Sequence, residues 1–201
     1  MNNKVTFIAL AAAAATLSAC GGSGTTVNTA PTYAELVARA DTAAAGVVDL
    51  STGDVTGGRD DVPNSGTASY TGYVKGDLDS GGTLIGELSL DANFSGGTVT
   101  GSATNFQHST KDAYTGSLTL SGGTITDSGV VGTADTFGGS LDGTLSNGGT
   151  DYTTSILLDG EFVGGSGATL PDNIAGYADG TLDDGVTNDA FTGAFITTQT
   201  P

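Results

Sequence analysis

Apolar and polar side chains alternate along most of the chain in eight short runs. In the second run, Leu84 and Leu88 share one face, and Glu87 and Ser89 share the other. A period of two residues is typical of a β-strand with one buried face, and clusters of Gly, Asn, Asp and Ser separate the runs as turns. The runs cover residues 67–74, 83–91, 98–106, 114–121, 138–145, 154–163, 174–182 and 191–198. The stretch 122–137 is less regular, and it holds either a short extra strand or an extension of a neighbouring one.

Glycine occupies the same register as the apolar side chains in most of these runs. Glycine weakens a strand unless the geometry requires it, and the narrow, sharply bent wall of a small barrel has that requirement. The other face carries mostly Thr and Ser, unlike the apolar outer band of a membrane-spanning barrel. We therefore predict an all-β fold, an eight-stranded antiparallel up-and-down β-barrel over residues 66–201, filled by its own side chains. Four such glycines are Gly86, Gly116, Gly176 and Gly193.

A short helix and a linker are predicted over residues 31–65, before the barrel. Thr32 and Glu35 are three positions apart and match a capping box at a helix start. A narrow, alanine-rich apolar stripe follows at helical spacing, which indicates a helix lying against the barrel; a partner-binding helix is the alternative. The stripe consists of Tyr33, Leu36, Val37, Ala40, Ala44 and Val47. Residues 49–65 are rich in Asp and Gly and predict a loop.

Residues 1–19 have the composition of a secretory signal peptide, in which Lys4 precedes an apolar run over residues 5–17. That run is too short to cross a bilayer as a helix, which needs about 20 apolar residues. The only cysteine, Cys20, lies just beyond the run. An ordinary signal peptide followed by a coincidental cysteine is the alternative interpretation. The three residues before the cysteine are Leu17, Ser18 and Ala19.

Residues 17–20 resemble the signal box of bacterial lipoproteins. That resemblance implies cleavage before Cys20, acylation of its thiol and new amino group, and a lipid anchor. Several acyl chains, at about 0.8 kcal/mol per buried CH₂, make such an anchor effectively permanent. The residue after the cysteine is Gly21 rather than Asp. By the same resemblance, this residue implies sorting to the outer membrane rather than to the inner one. Residues 20–30 are rich in Gly, Ser and Thr and predict a flexible tether.

The chain is strongly acidic, with 22 acidic and 5 basic residues and a formal net charge of −17. Phosphate backbones repel a chain of this charge, so nucleic-acid binding through a basic patch is excluded. A single cysteine excludes an internal disulfide framework, and the Cys/His spacing of a zinc site is missing from the sequence.

Four segments of the predicted barrel combine glycine with aromatic and hydroxyl residues: 65–73 (SGTASYTGY), 90–101 (LDANFSGGTVTG), 158–164 (LDGEFVG) and 191–195 (FTGAF). They resemble the C-terminal barrel of transferrin-binding protein B and its relatives, which include factor H-binding protein and the hemophilin-like haem-capturing proteins. The resemblance covers residues 65–198. It implies a lipid-anchored, non-enzymatic binding protein of the bacterial outer membrane with a role in iron or haem acquisition. The implied partners are a host iron- or haem-carrying protein or an outer-membrane receptor.

His108 is the only histidine, and it is predicted to lie in the loop between the third and fourth strands. Loops at a barrel rim are where ligand contacts are expected. The resemblance to hemophilin-like proteins implies haem as a candidate ligand and His108 as a candidate iron ligand. A solvated loop histidine without a ligand is the alternative. Tyr114 and Tyr152 are further candidate haem ligands, although each also fits the start of a strand.

Two acidic clusters raise the question of calcium, a cation that prefers oxygen ligands. Neither cluster matches the EF-hand loop or the calcium-binding nonapeptide repeat. Soluble acidic turns are the alternative, and no metal site is predicted. The clusters are Asp54, Asp60 and Asp61, and Asp179, Asp183 and Asp184.

The sequence lacks GxSxG, HExxH and P-loop motifs, and acylation of Cys20 leaves no free thiol. We therefore predict that the protein is not an enzyme, with a carboxylate-based hydrolase as the alternative. Among non-enzymes, the alternative to a binding protein is a structural or shielding surface lipoprotein with no specific small ligand.

Overall fold

The computed structural model describes residues 30–167 and 169–201. The predicted signal peptide, its signal box at residues 17–19, the anchor Cys20 and the tether up to residue 29 lie outside the described residues.

One helix precedes eight strands, and the strands form a closed antiparallel barrel. Each strand pairs with the next one along the chain, and β8 pairs with β1, so the sheet has no free edge. This confirms the predicted eight-stranded up-and-down barrel. The elements are α1 (Tyr33–Ala44), β1 (Thr67–Leu78), β2 (Thr83–Asn93), β3 (Thr98–His108), β4 (Thr115–Thr126), β5 (Thr136–Asn147), β6 (Thr150–Val163), β7 (Asn173–Asp183) and β8 (Asn188–Gln199).

Most strands are longer than their alternating runs. The strand β4 continues through the irregular stretch as far as Thr126, so this stretch extends a neighbouring strand and adds no ninth one. The register between β4 and β5 shifts between Ser121 and Thr124. Extra residues at such a bulge break the period of two, which is why the alternation stops before the strand does.

Side chains from all eight strands fill the barrel. The rings of Phe137 and Phe195 meet edge to face with centroids 6.0 Å apart, and those of Phe94 and Phe162 are 5.8 Å apart. Full burial of one such side chain contributes about 1.5–3 kcal/mol, so this core supplies much of the driving force for folding. The largest fully buried side chains inside the barrel include Tyr70, Phe106, Phe137, Phe162, Phe191, Phe195, Leu84, Leu88, Leu90 and Leu118.

Inward-facing glycines make room for aromatic rings of the neighbouring strand. A Cβ atom at Gly86 would lie 2.6 Å from Cε1 of Phe106, and one at Gly76 would lie 2.5 Å from Cζ of Phe191. Real Cβ atoms do not approach other atoms so closely, so lack of space selects glycine at both positions. Gly116 is exposed and has a φ of +117°, and a Cβ atom there would collide with the Thr144 carbonyl oxygen, so backbone conformation and lack of space both select glycine.

The helix α1 begins with the predicted capping box. The backbone N–H of Thr32 donates to Oε2 of Glu35 at 2.8 Å, and the backbone N–H of Glu35 donates to Oγ1 of Thr32 at 3.3 Å. The helix ends at Ala44, and Gly46 follows with a φ of +76°. It has 12 residues, and none of the helices in the described part of the chain is long and apolar enough to span a bilayer.

The helix lies against the outer wall of the barrel, as its apolar stripe predicts. Leu36 and Ala40 pack on Ile85, an outward-facing residue of β2. The segment after the helix continues this contact, because Val48 packs with Ala175 and Ile196 on the outer faces of β7 and β8. Apolar residues in the outward register of these strands therefore mark the wall that the helix and linker cover.

Candidate functional site

Loops close the barrel at both ends, and we name each end after one buried side chain. The His108 end consists of the turns 79–82, 109–114, 148–149 and 184–187. The Arg59 end consists of the linker segment 56–66 and the loops 94–97, 127–135 and 164–172.

His108 is the last residue of β3, paired with Leu84 of β2, and only 4% of it is exposed. The expected placement in a loop, and with it the solvated alternative, is therefore wrong. A bulge explains the difference: the register between β2 and β3 shifts between Ile85 and Glu87, and Asn105 takes a φ of +54°. An inserted residue reverses the facing of all later residues in a strand. The bulge therefore turns His108 into the barrel, where unbroken alternation would have turned it outward.

Two backbone amides bind one ring nitrogen of His108. Nδ1 accepts hydrogen bonds from the N–H groups of Thr110 and Lys111, both at 3.0 Å. An accepting nitrogen carries no proton, so the neutral ring carries its proton on Nε2. Nε2 is buried and has no hydrogen-bond partner within the described residues. Burial lowers the pKa of His108 below its ordinary value of 6.5, and the charge of Lys111 lowers it further.

The surroundings of His108 do not fit a haem ligand. An axial histidine must offer a ring nitrogen with an open approach to the iron. Nδ1 is occupied by two amides, and a Cβ atom at Gly82 would lie only 2.9 Å from Nε2. Haem ligation by His108 stays a prediction, and it requires the turn 79–82 to move away.

Tyr114 packs beside His108, and Tyr152 packs on Tyr114, so the three candidate haem ligands form one row of rings. The ring centroid of Tyr114 is 6.1 Å from that of His108 and 5.6 Å from that of Tyr152. Burial raises the pKa of the Tyr114 phenol, and Tyr152 and Asp189 raise it further. The three rings form a plug that closes this end of the barrel.

The loop between β3 and β4 is held from its other side by Asn147. The Nδ2 atom of Asn147 donates to the carbonyl of Asp112 at 2.7 Å and to that of Ala113 at 3.4 Å. The two side chains therefore bind opposite halves of one loop. His108 accepts from backbone N–H groups of the first half, and Asn147 donates to backbone carbonyls of the second half.

Arg59 closes the opposite end, with only 6% of its surface exposed. Its Nε donates to Oδ1 of Asp61 at 2.9 Å, and its Nη2 donates to the Asp61 carbonyl at 2.6 Å. Three further bonds reach the loop 164–172: Nη1 donates to the carbonyls of Gly164 (3.2 Å) and Thr169 (3.0 Å), and Nη2 to that of Gly167 (3.0 Å). All three guanidinium nitrogens are thus engaged, and we call this arrangement the Arg59 clamp.

Asp135 ties the linker to the loop between β4 and β5 and is only 1% exposed. Its Oδ2 accepts from the backbone N–H of Val62 at 3.0 Å, and its Oδ1 accepts from that of Ser128 at 2.8 Å. Its own backbone N–H donates to the carbonyl of Arg59 at 2.8 Å. The buried carboxylate and the Arg59 clamp thus fasten the linker across the barrel end, which leaves this end closed as well.

The acidic clusters considered for calcium bind the protein's own donors. Asp184 accepts from the backbone N–H groups of Val186 (2.8 Å) and Thr187 (2.6 Å), and these bonds lower its pKa. Asp54 accepts from the hydroxyl of Tyr177 at 2.9 Å. Nowhere in residues 30–167 and 169–201 do three His, Cys, Asp or Glu side chains converge as metal ligands.

The outer wall carries two neighbouring clefts beside α1, which share Thr71 and Tyr73. One of about 520 Å³ lies between α1 and the wall, and the other, of about 370 Å³, lies over β1, β2 and β3. Arg39 lines the first and Glu87 lines the second, and Nη1 of Arg39 is 3.9 Å from Oε1 of Glu87. We call these clefts together the α1 groove. Its other lining residues are Ala38, Thr42, Ala43, Thr198, Gly72, Leu88, Ser89, Ser102 and Thr104.

No family model matches the chain, and neither a curated protein nor a solved structure matches it. The resemblance to the transferrin-binding protein B family therefore stays a prediction.

The wall formed by β3 to β6 has a different surface from the α1 groove. Hydroxyl groups dominate it, and one carboxylate organises its centre. The Asp142 carboxylate accepts from the hydroxyls of Ser121 (2.9 Å), Ser140 (2.9 Å) and Ser155 (2.7 Å), and these bonds lower its pKa. The hydroxyls and the carboxylate are thus already bonded to one another, and Leu157 of β6 is a single large apolar side chain exposed among them.

Sequence reasoning identified the residues of the His108 end but not the Arg59 clamp or the α1 groove. Arg59 had one signal, since it is the only basic residue of an acidic linker. The apolar Ile85 in an outward register was the corresponding signal for the wall under α1. In the part of the chain that the structure describes, the two clefts of the α1 groove lie on the outer wall of the barrel.

Proposed function

We propose that the protein is a lipid-anchored, non-enzymatic binding protein of the bacterial outer membrane that contacts a macromolecular partner through its exterior. The observation that carries the proposal is the filled lumen: apolar side chains of all eight strands occupy it, and buried groups close both ends. A barrel that holds a small solute needs an interior cavity. A filled barrel is instead a rigid scaffold that displays its surface.

The state of His108 supports the non-enzymatic part of this proposal. Nδ1 is the basic nitrogen of the neutral ring, and the amides of Thr110 and Lys111 occupy it. A general base must reach the proton of a substrate or nucleophile. The only histidine of the chain is therefore committed to holding a loop.

The α1 groove is the surface we assign to the partner. It combines the partly exposed ring of Tyr73 with small side chains and one exposed ion pair, the mixture of an aromatic anchor and a polar rim that protein interfaces use. A host iron- or haem-carrying protein or an outer-membrane receptor remains the partner that the family resemblance implies.

A shielding surface lipoprotein is the second candidate function, and the Asp142 wall favours it. A wall of hydroxyls bonded to a carboxylate stays hydrated and offers few contacts to other proteins. The two candidates differ in what they predict for the α1 groove, which a shield would leave unoccupied.

Photo-crosslinking in intact cells distinguishes the two candidates. We expect Ala43→benzoylphenylalanine, in the α1 groove, to give a discrete adduct with one protein. The matched control, Ser117→benzoylphenylalanine on the exposed face of β4, is expected to give none. The measurement is the adduct mass on a denaturing gel, followed by peptide identification. Equal adduct patterns at both positions, or none at either, would favour the shielding role.

The anchor is tested by Cys20→Ala. We expect this variant to lose palmitate incorporation and to leave the membrane fraction, because no acyl chain then holds the chain in lipid. The control Ser23→Ala changes the tether while keeping the acylated residue, and it is expected to stay in the outer-membrane fraction. If Cys20→Ala remains in the membrane after a high-salt wash, the lipid anchor is wrong.

A further inference from the structure

The closed conformation of the loop 109–114 is compatible with only one charge state of His108. Nδ1 of His108 accepts from both Thr110 and Lys111. In the imidazolium both ring nitrogens are donors. A proton on Nδ1 would therefore face two N–H groups, and both hydrogen bonds would be lost.

The environment of the ring offers little compensation for a positive charge. The groups that act on it are Lys111 of its own loop, Asp189 of β8, the backbone of Gly81 and the neighbouring phenol of Tyr114. Asp189 is the only anion among them, and its carboxylate accepts from the backbone N–H and the hydroxyl of Ser80, at 2.8 and 2.5 Å.

The geometry points to a proton-triggered switch: we propose that protonation of His108 opens the first half of the loop 109–114 and unseats the ring from the plug at the His108 end. The second half stays attached, because Asn147 holds the carbonyls of Asp112 and Ala113 with bonds that involve no titrating group. Opening is therefore local, and the hydrogen bonds between the strands of the barrel persist.

The direction of the pH dependence follows from the direction of the pKa shift. Burial, then Lys111, lower the pKa of His108 in the closed loop, by more than Gly81 and Asp189 raise it. In the open loop the ring is solvated and its pKa returns towards 6.5. The open state thus binds more protons than the closed one. The free energy that favours the closed loop is largest above about pH 6.5. It decreases as the pH falls below that value, until the pH reaches the lower pKa of the closed state.

Amide hydrogen exchange between pH 7.5 and 5 tests the switch on the full-length protein. We expect the protection factors of the Thr110 and Lys111 amides to fall by up to about tenfold per pH unit below about pH 6.5, the limit for one linked proton. The amide of Leu158, in the centre of β6, is expected to keep its protection, because the barrel does not open. His108 is the only histidine of the chain, and histidine is the side chain whose ordinary pKa lies inside this window.

Two variants provide the controls. In His108→Asn, the side-chain carbonyl of the asparagine accepts from the following backbone amides, as in an Asx turn, and it does not titrate. We therefore expect the Thr110 and Lys111 amides to stay protected from exchange at every pH. His108→Phe fills the space without accepting, so we expect an exchanging loop at every pH. The switch is overturned if the wild-type loop keeps its protection while the His108 ring titrates, or if His108→Asn shows the same pH dependence as the wild type. Parallel loss of protection at Leu158 would also overturn it, since the event would then be global unfolding.

Discussion

Replacement of Arg59 by methionine is expected to lower the free energy of unfolding by about 2–4 kcal/mol. Arg59→Met keeps most of the side-chain volume but removes every donor of the Arg59 clamp. The carbonyls of Gly164, Gly167 and Thr169 then lose hydrogen bonds of 3.0–3.2 Å at a partly buried site. Asp61 contributes less to the loss, because nearly half of its side chain is exposed and water solvates it.

Urea denaturation of the mature protein measures this effect. The matched control is Arg39→Met, which removes the exposed Arg39–Glu87 ion pair at 3.9 Å and is expected to cost about 0–1 kcal/mol. Both substitutions remove one positive charge from an acidic protein, so the difference between them isolates the hydrogen bonds of the clamp. Equal losses in the two variants would show that the clamp contributes no more than its charge.

The second large effect is expected at Gly176, where Gly176→Ala should destabilise the barrel by about 2–3 kcal/mol. Gly176 pairs with Gly160 across β6 and β7. A Cβ atom at Gly176 would collide with the Asp159 carbonyl oxygen and with the Cα of Gly160, and would lie 2.9 Å from the Asp159 carbonyl carbon. These are backbone atoms, so no side-chain rotation relieves the contact and the two strands must separate.

Gly138→Ala is the matched control for this substitution. Gly138 is also in a strand, but the nearest atom to its added Cβ would be the Leu158 carbonyl oxygen at 3.9 Å, an ordinary contact. We expect a change within about 0.5 kcal/mol in either direction, since alanine also restricts the unfolded chain. The midpoint of thermal or urea unfolding measures both variants. A loss at Gly138 as large as that at Gly176 would show that glycine is needed in these strands for reasons other than space.

The barrel was predictable because a local pattern encodes it. The run 174–182 alternates without interruption and becomes β7, Asn173–Asp183, with a difference of one residue at each end. The capping box of Thr32 and Glu35 is likewise local, and it forms as predicted. Successive strands are joined by short connections, so each strand pairs with the next one along the chain. Such an up-and-down meander then closes on itself as a barrel.

The candidate site was less predictable because it depends on bulges and on contacts between distant loops. A single bulge near Asn105 decides whether His108 faces solvent or the lumen, and a period of two residues gives no sign of it. The carbonyls that Arg59 binds in the loop 164–172 lie more than a hundred residues further along the chain. Which loops meet at a barrel end follows from the tertiary fold, not from the local sequence.

The pairing of β8 with β1 has a consequence for the order in which the protein is made. Tyr70 of β1 pairs with Gln199 of β8. The hydrogen bonds on this edge of β1 therefore form only after the last strand has been made. Until then β1 and β7 are open edges, the kind of template on which unfinished chains aggregate. Ring closure across such a long separation is also slow, since the loop entropy must be lost before the pairing is gained. Biogenesis thus favours a chain that is kept extended until its final strand has emerged.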